Sequence, residues 1–436
     1  MAVVQTTLEA RYRGALFGLA VGDALGTTLE SVKVDEQTPK VTDIVGGGKY
    51  SLLAGQWTDD TSMMLCLATS IIECKGFDPK DQLRRYNLWY KEGNYSSNGQ
   101  CFDIGITSRM ALEKFVSGGE QESYPASTAK DARAGNGSLM RLAPVPLYYR
   151  KAPLLAMQRT AESSLTTHGA AVCVESCKYF TGLLLGAMEG ASKEELLSPF
   201  FLPSSLKSLD PNYWEHHPFS PEVEAVVKGS YKSKNPPEIQ GSGYVVGALE
   251  SVLWAFYHTE NFVDGLLKIV NIGNDADTTG AIYGQLAGCF YGVDQIPSHW
   301  KTKVTYSPLF QIIADELLAA SEHITPDIGT YTYDSVSISS SYQQNIECLR
   351  LLETSFKPIL RKILPGPHTY KTIEAFKQDC TTLESEYQEK APSCECKAPL
   401  LADFKLRLDD EGTKLHRKLS RPANPFAKGF PPKVAS

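Results

Sequence analysis

Two rows of glycine constrain this chain more than any other feature. Residues 273–280 read Gly-Asn-Asp-Ala-Asp-Thr-Thr-Gly, and glycine then recurs at every fourth position from Gly280 to Gly292. A second row with the same spacing runs from Gly14 to Gly26. Residues four apart lie on one face of a helix, and each interior glycine costs about 1 kcal/mol relative to alanine. The sequence therefore predicts two helices whose backbones approach each other closely.

The positions of three acidic residues suggest how these helices are oriented. Glu30 follows the end of the first glycine row, whereas Asp275 and Asp277 precede the second. Antiparallel packing would bring all three carboxylates to the same end of the helix pair. Helix capping is the alternative explanation for Asp275 and Asp277.

Further acids stand at predicted helix starts. The residues Thr58, Asp59 and Asp60 precede an apolar run from Met63 to Ile72, which is typical of a helix N-terminus. Capping explains one acid there but not two adjacent ones. Asp103 is also placed to start a helix, and capping alone is an alternative for it as well.

Convergence of the acids would predict bound metal. Two like charges about 4 Å apart repel by about 4 kcal/mol at an effective dielectric near 20. If five of these carboxylates converge, they therefore need cations or shared protons; the five are Glu30, Asp59, Asp60, Asp275 and Asp277. Carboxylate and hydroxyl oxygens suit Mg²⁺ or Mn²⁺, and we expect two divalent ions.

The fold class follows from periodicity. Every convincing element up to about residue 324 has a helical pattern, and no alternating strand pattern is found, so we expect an all-α fold. The composition changes near Thr325, which predicts a domain at 1–325 and a C-terminal extension at 326–436. Two helices are predicted there, Tyr342–Leu364 and Tyr370–Tyr387, with a basic, disordered end. The proline-rich region 198–241 is interpreted as an irregular insertion.

Composition excludes some classes of function. The formal net charge is -7, which argues against nonspecific nucleic-acid binding. No run of about 18 uninterrupted apolar residues is present, so no membrane span is expected. The N-terminus lacks signal-peptide features, and the 10 cysteines suggest reduced core thiols. We expect a cytoplasmic monomer, and the basic end leaves a nuclear location open.

In combination these motifs resemble the ADP-ribosylglycohydrolase family, which includes hydrolases of ADP-ribosylarginine and ADP-ribosylserine. The resemblance covers roughly residues 10–310 and implies a compact orthogonal helical bundle with a pair of Mg²⁺ or Mn²⁺ ions. The matching segments are 18–26, 56–62, 102–105, 135–141, 167–168, 243–246 and 275–280.

The resemblance also implies roles for individual residues. The metal ligands it implies are Thr58, Asp59, Asp60, Asp275, Asp277 and Thr278. Glu30 would lie at the reacting ribose and would serve as the base. A metal-activated water held by Asp60 is the alternative base. Asp103 would face a guanidinium. The substrate-binding residues it implies are Gly135, Asn136, Gly137 and Ser138 for the diphosphate, His168 for holding the ligand, and Tyr244 near the adenosine.

The expected activity is hydrolysis of ADP-ribosyl-arginine on a protein or in a small ADP-ribose conjugate. One position departs from that pattern, because Ile106 stands where the arginine-directed members commonly carry asparagine. Hydrolysis of serine-linked or O-acetyl-linked ADP-ribose therefore stays open. A non-catalytic ADP-ribose-binding relative and a two-metal phosphohydrolase or nuclease are further alternatives, and the acidic surface disfavours the nuclease.

Overall fold

A computed structural model describes residues 6–118, 133–324, 338–363, 373–391, 401–402 and 405. Within these ranges the protein is built from helices and contains no β-strand beyond three isolated bridges, which confirms the predicted all-α class. The helices of the described residues are α1 (Leu8–Gly26), α2 (Asp59–Glu73), α3 (Pro79–Glu92), α4 (Ile106–Ser117), α5 (Pro144–Tyr148), α6 (Pro153–Leu165), α7 (Ala171–Glu189), α8 (Lys193–Leu196), α9 (Ser204–Leu209), α10 (Tyr213–His216), α11 (Pro221–Val227), α12 (Val245–Tyr257), α13 (Phe262–Val270), α14 (Ala276–Tyr291), α15 (Ser298–Lys303), α16 (Ser307–Ser321), α17 (Ser340–Ile363) and α18 (Ile373–Lys390).

Helices α1 and α14 pack against each other along their glycine rows. A Cβ atom added at Gly14 would lie 2.0 Å from the carbonyl oxygen of Gly288. One added at Gly22 would lie 2.0 Å from the carbonyl oxygen of Gly280. The pairing runs in opposite directions along the two helices, so the predicted antiparallel contact is confirmed. Only glycine permits this separation.

Aromatic packing holds the start of α2 beside this pair. The ring of Phe310 in α16 lies 5.5 Å from that of Phe17 in α1 and 5.5 Å from that of Trp57, the residue before Thr58. Trp57 is fully buried, and its indole N–H donates to the carbonyl oxygen of Tyr95 at 3.2 Å. These contacts fix the position of the Thr58–Asp60 segment relative to α1.

The prediction of an irregular insertion at 198–241 was wrong. Three short helices, α9, α10 and α11, lie in this region. Pro203 immediately precedes α9, and Pro221 is the first residue of α11. Proline is tolerated in the first turn of a helix, where its missing N–H has no partner to lose. Two of the prolines that suggested irregular structure, Pro203 and Pro221, therefore mark helix starts.

Among the helices of the described ranges, one, α7, is long and apolar enough to cross a membrane by length and composition. The search for uninterrupted apolar runs in the sequence did not indicate it. In its most apolar stretch 67% of the residues are buried inside the protein. Core helices meet the same criterion, and α7 packs against α6, α12 and α14. The expectation that no segment spans a membrane stays a prediction.

The chain divides into two compact units, residues 1–346 and 347–436. The two helices predicted beyond residue 325 are present as α17 and α18. Cys348 is disulfide-bonded, so the expectation of reduced cysteines was wrong at this position. The predicted boundary at residue 325 and the basic end lie outside the described residues.

Candidate active site

The N-termini of α2 and α14 carry four of the predicted acids, yet neither helix is capped by the residue at its own N-cap. Thr58 before α2 and Asp275 before α14 make no side-chain capping hydrogen bond. Asp277 lies in the first turn of α14, and its Oδ1 accepts from the N–H of the next residue at 2.8 Å. Capping therefore does not account for this concentration of acids.

A carboxylate from α1, Asp23, caps α2 instead. Its Oδ1 accepts from the N–H and the hydroxyl of Thr58, both at 2.9 Å. Its Oδ2 accepts from the N–H of Thr61 at 3.0 Å and from the hydroxyl at 2.7 Å. Burial raises the pKa of Asp23 to about 6, against the effect of these hydrogen bonds. Asp23 is not among the predicted site residues, although a charge inside a helix of glycine and apolar residues is a signal for such a role.

The carboxylates converge in two overlapping groups. In the first, oxygen atoms of Asp23, Asp60 and Asp277 all lie within 4.8 Å of one another. The second group joins Glu30, Asp103 and Asp277 within the same distance. The structure therefore brings acids from α1, α2 and α14 together, as the antiparallel packing predicts, and Asp277 belongs to both groups.

The segment after α1 is hydrogen-bonded to Asn274, the residue before Asp275. The N–H of Ser31 donates to the carbonyl oxygen of Asn274 at 2.6 Å, and the N–H of Asn274 donates to that of Val32 at 2.7 Å. The hydroxyl of Ser31 also donates to Glu30 Oε1 at 2.8 Å. These contacts hold Glu30 beside the N-terminus of α14.

Burial, followed by repulsion from neighbouring carboxylates, raises the pKa values of the predicted aspartate ligands. Those of Asp59, Asp60 and Asp277 lie well above the usual range. The pKa of Asp275 is raised to about 6, and that of Asp103 is raised for the same two reasons. Strongly perturbed carboxylates clustered in this way are typical of functional sites.

The donor set fits a divalent cation. Asp60 Oδ1 and Glu30 Oε2 are buried and have no hydrogen-bond partner among the described residues. A buried carboxylate oxygen without a partner is costly, and a cation would satisfy it. Carboxylate and threonine oxygens are hard ligands that suit Mg²⁺ or Mn²⁺ better than a soft metal.

The clustered carboxylates described above are here called the acidic centre: Asp23, Glu30, Asp59, Asp60, Asp103, Asp275 and Asp277. A cavity of about 270 Å³ opens beside this centre. Thr58, Asp60 and Asp277 are buried and do not belong to its wall. The predicted site residues in the wall are Glu30, Asp59, Asp103, Gly135, Asn136, Gly137, His168, Asp275 and Thr278.

The family was decided by comparison with known proteins. A family model described as ADP-ribosylglycohydrolase matches residues 4–326. The chain belongs to this family.

Two relatives within the ADP-ribosylglycohydrolase family illustrate the extent of the similarity. The chain is 41% identical over 309 residues to the ADP-ribosylarginine hydrolase Tri1 of Pseudomonas putida, covering 70% of this chain and 77% of the relative. It is 31% identical to the ADP-ribosyl-[dinitrogen reductase] glycohydrolase of Rhodospirillum rubrum, covering 68% and 91%. A solved structure, an ADP-ribosylglycohydrolase-related protein complex, matches with a TM-score of 0.61 and 38% identity over 72% of this chain and 99% of that one.

The loop at residues 135–138 of this family member contacts the acidic centre directly. The side-chain amide of Asn136 donates to Asp275 Oδ2 at 2.5 Å and to the carbonyl oxygen of Ser242 at 3.0 Å. The backbone N–H of Asn136 donates to the carbonyl oxygen of Gly243 at 3.1 Å. The backbone N–H of Asn136 is therefore already hydrogen-bonded and is not free for the diphosphate that residues 135–138 are expected to bind.

The ring of His168 packs against the same loop. A Cβ atom on Gly137 would lie 2.7 Å from His168 Cε1, so glycine is needed for this contact. The His168 Nδ1 is 2.8 Å from the hydroxyl of Thr167. Burial, together with the charge of Arg141, lowers the pKa of His168 to about 3, so the imidazole is neutral.

Two predicted substrate-binding side chains lie outside the cavity wall of this ADP-ribosylglycohydrolase. The hydroxyl of Ser138 is buried and accepts from the hydroxyl of Ser164 at 2.9 Å. Tyr244 is 40% exposed, and its hydroxyl donates to Glu222. The roles of Ser138 and Tyr244 remain predictions.

Proposed function

We propose that the chain hydrolyses the glycosidic bond between ADP-ribose and an acceptor, with arginine on a protein as the favoured acceptor. The observation that carries this proposal is the convergence of Asp23, Asp60 and Asp277 beside the cavity that Glu30 and Asp103 line. It is supported by two relatives named ADP-ribosylarginine hydrolase, 41% and 38% identical to this chain.

The acidic centre would hold two divalent cations, Mg²⁺ or Mn²⁺. The residues proposed to hold them are Thr58, Asp59, Asp60, Asp275, Asp277 and Thr278. When bound, such cations supply charge neutralisation, hold ribose hydroxyls and lower the pKa of water. The high pKa values of the aspartates agree with a centre that needs cations to stay ionised.

The chain's own carboxylates account for the remaining steps. Glycosidic-bond cleavage passes through an oxocarbenium-like state, which the negative charge of Glu30 and Asp60 stabilises. Glu30 would accept a proton from the attacking water, and this role is supported by its Oε2 atom, which has no hydrogen-bond partner among the described residues. Asp103 pairs with the guanidinium of the leaving arginine, because a planar guanidinium and a carboxylate form two parallel charged hydrogen bonds.

The loop at 135–138 orients the rest of the ligand. The diphosphate would lie against this loop, because Gly135, Asn136 and Gly137 line the cavity. The bond from Asn136 to Asp275 couples the position of the loop to the acidic centre. The neutral imidazole of His168 packs against the loop and holds it in position. Tyr244 lies near the adenosine end of the ligand.

A panel assay tests the proposal. Arginine-, serine- and acetyl-linked ADP-ribose are each incubated with the chain in Mg²⁺ or Mn²⁺, and free ADP-ribose is measured. We expect cation-dependent release from the arginine linkage and none from an Asp59→Ala variant. An Asp294→Asn variant, which changes an exposed acid outside the cavity, is the matched control and keeps wild-type activity. Phosphate release or strand scission instead of ADP-ribose would indicate a phosphohydrolase or nuclease.

One observation favours a second candidate, hydrolysis of serine-linked or O-acetyl-linked ADP-ribose. Ile106 lines the cavity and is 62% exposed. Its apolar side chain offers no hydrogen bond to a guanidinium. Activity only on linkages without a guanidinium would support this candidate and contradict the role given to Asp103. Binding of ADP-ribose without turnover of any linkage would support a non-catalytic relative.

A further inference from the structure

A turn at residues 46–52, here called the glycine turn, lies against the end of α1. The N–H of Gly47 donates to the carbonyl oxygen of Leu52 at 2.8 Å, and the reverse bond is 2.9 Å. Gly46, Gly47 and Gly48 all have left-handed φ angles, of 70°, 80° and 62°. A Cβ atom on Gly48 would lie 2.0 Å from the carbonyl oxygen of Thr27, so only glycine lets the turn pack this closely against the backbone after α1.

The glycine turn includes Tyr50, which contacts Asp103. The hydroxyl of Tyr50 donates to Asp103 Oδ1, and its ring lies 5.3 Å from that of Phe102 at an angle of 56°. Asp103 itself has a left-handed φ of 59°, a strained conformation for a residue with a side chain. The ring of Tyr50 is held against Phe102, and its hydroxyl therefore holds the carboxylate of Asp103 in one position.

The neighbouring Lys49 supplies a loosely held cation to the same carboxylate. Its Nζ lies 4.0 Å from Asp103 Oδ1 and 4.9 Å from the centroid of the Tyr50 ring. It also donates to the hydroxyl of Ser31 at 3.4 Å, and its side chain is 48% exposed. Each of these contacts is long, and an exposed ion pair of this kind contributes little to stability.

We propose that the glycine turn selects a cationic leaving group, with Tyr50 as the residue that positions Asp103 and Lys49 as a cation that a guanidinium displaces. The inference rests on the proposed function only for the identity of the leaving group. A guanidinium is planar, weakly hydrated and able to form two parallel hydrogen bonds, so it outcompetes a hydrated ammonium at this distance. A neutral leaving group leaves the ammonium in place. Return of Lys49 after cleavage neutralises Asp103 and favours release of the arginine.

The two residues are expected to respond in opposite directions. The full chain, saturated with ADP-ribose, is titrated with agmatine as the guanidinium probe, and the Kd is measured by calorimetry. A Lys49→Met variant keeps the apolar stem and removes the competing charge, so agmatine binds about threefold more tightly. A Tyr50→Phe variant keeps the ring contact with Phe102 and removes the hydroxyl, so agmatine binds about tenfold more weakly.

The chain offers a matched control outside the cavity. Lys91 Nζ lies 4.4 Å from the centroid of the Tyr90 ring, and the Tyr90 hydroxyl donates to Glu113 at 3.1 Å. None of the three belongs to the cavity wall formed by the described residues. Lys91→Met and Tyr90→Phe repeat the same chemical changes, and both leave the agmatine Kd unchanged.

The outcomes separate this inference from the proposed function. Shifts of the same sign in Lys49→Met and Tyr50→Phe, equal shifts in the control variants, or no agmatine binding by the wild type would overturn the inference. A parallel titration with ADP-ribose alone reports on the proposed function, since failure to bind it contradicts that function. In the hydrolysis assay, we expect Tyr50→Phe to raise KM for arginine-linked substrate more than it lowers kcat, and Lys49→Met to lower KM.

Discussion

At the scale of single residues, Asp23 connects the glycine-packed helices to the acidic centre. The hydroxyl of Thr58 lies 2.9 Å from Asp23 Oδ1 and 2.8 Å from Asp60 Oδ2. A hydroxyl has one proton and can donate to only one of these oxygens at a time. Asp23 Oδ1 and Asp60 Oδ2 can therefore both lie beside this hydroxyl without repelling each other only if one carboxyl carries a proton or a cation neutralises the pair. The position of Thr58 is thus a local reason for expecting protons or metal here.

Removing the other hydroxyl bonded to Asp23 tests its role as the cap of α2. Thr61→Val keeps the shape of a fully buried side chain and deletes the 2.7 Å bond to Asp23 Oδ2. We expect the free energy of unfolding to fall by about 1–3 kcal/mol, since the acceptor is charged. The loss, measured by urea denaturation, is greater above the pKa of Asp23, about 6, than below it.

Thr181→Val is the control for that experiment. The hydroxyl of Thr181 lies 2.8 Å from that of Thr160, both buried, so this bond joins two neutral groups. Its loss costs the same on both sides of the Asp23 pKa. An equal dependence on pH in the two variants would contradict the role of ionised Asp23 as the cap.

Asp60 provides a second test at this scale. It is fully buried, its Oδ1 has no partner among the described residues, and its pKa is raised by burial and then by the charge of Asp23. Asp60→Asn removes one of several repelling charges, so we expect a higher Tm in EDTA and no further rise on adding Mn²⁺. Thermal scans with and without the ion measure both effects. A lower Tm in EDTA than that of Asp294→Asn would contradict this account.

The candidate site was predictable from sequence only in part. Spacing alone pointed to Glu30 and to the acids at the N-termini of α2 and α14, because each follows or precedes a recognisable helical pattern. Asp103 was expected to start a helix, yet α4 begins at Ile106 with Gly105 as its N-cap. Asp23 was missed because its partners, Thr58 and Thr61, lie more than thirty positions further along the chain. Local pattern contains no information on such a pairing.

At the scale of helices, the glycine rows show why periodicity was more informative than propensity. Glycine is a poor helix former, so propensity alone argues against α1 and α14. The four-residue spacing indicates instead that a neighbouring backbone fills the space where side chains would be. The short helices α9 to α11 had no such repeat, and the prolines around them hid their starts.

Substitution within the glycine contact tests its role in bringing the acids together. A Cβ atom on Gly18 would lie 2.1 Å from the carbonyl oxygen of Gly284, which is backbone and cannot turn aside. We expect Gly18→Ala to lower the free energy of unfolding by about 3 kcal/mol or more. It also weakens Mn²⁺ binding, because the helices that carry Asp23 and Asp277 are pushed apart. Denaturation and a metal titration measure the two effects.

Gly182 in α7 is the matched control for this substitution. The nearest atom to a Cβ atom there is the methyl carbon of Met157 at 3.5 Å, an ordinary contact. Alanine at a helix interior is favoured over glycine by about 0.5–1 kcal/mol. Gly182→Ala therefore stabilises the chain slightly and leaves Mn²⁺ binding unchanged. Similar effects of Gly18→Ala and Gly182→Ala would show that the α1–α14 contact does not position the acids.

At the scale of the whole molecule, the acids that converge come from positions 23 to 277, and folding brings them together at an electrostatic cost. The folded pKa of Asp23 and of Asp275 is about 6, above the usual 3.8. A carboxyl whose folded pKa is raised contributes stability that is fully present below its unfolded pKa and is lost as the pH rises through the folded pKa. His168 acts in the opposite direction below about pH 6.5, because it stays neutral when folded and is protonated when unfolded.

The pH dependence of stability should therefore change sign when a divalent cation is present. Without metal, the acids outnumber His168, and we expect the Tm to fall as the pH rises from about 5 to about 7.5. With excess Mn²⁺ the Tm rises over the same interval, because the cation binds ionised carboxylates and competes with protons for them. Calorimetric scans in EDTA and in Mn²⁺ measure both curves. A Tm in EDTA that rises throughout this interval would mean that the clustered acids do not repel one another in the folded chain, and the argument for a cation centre would lose its electrostatic basis.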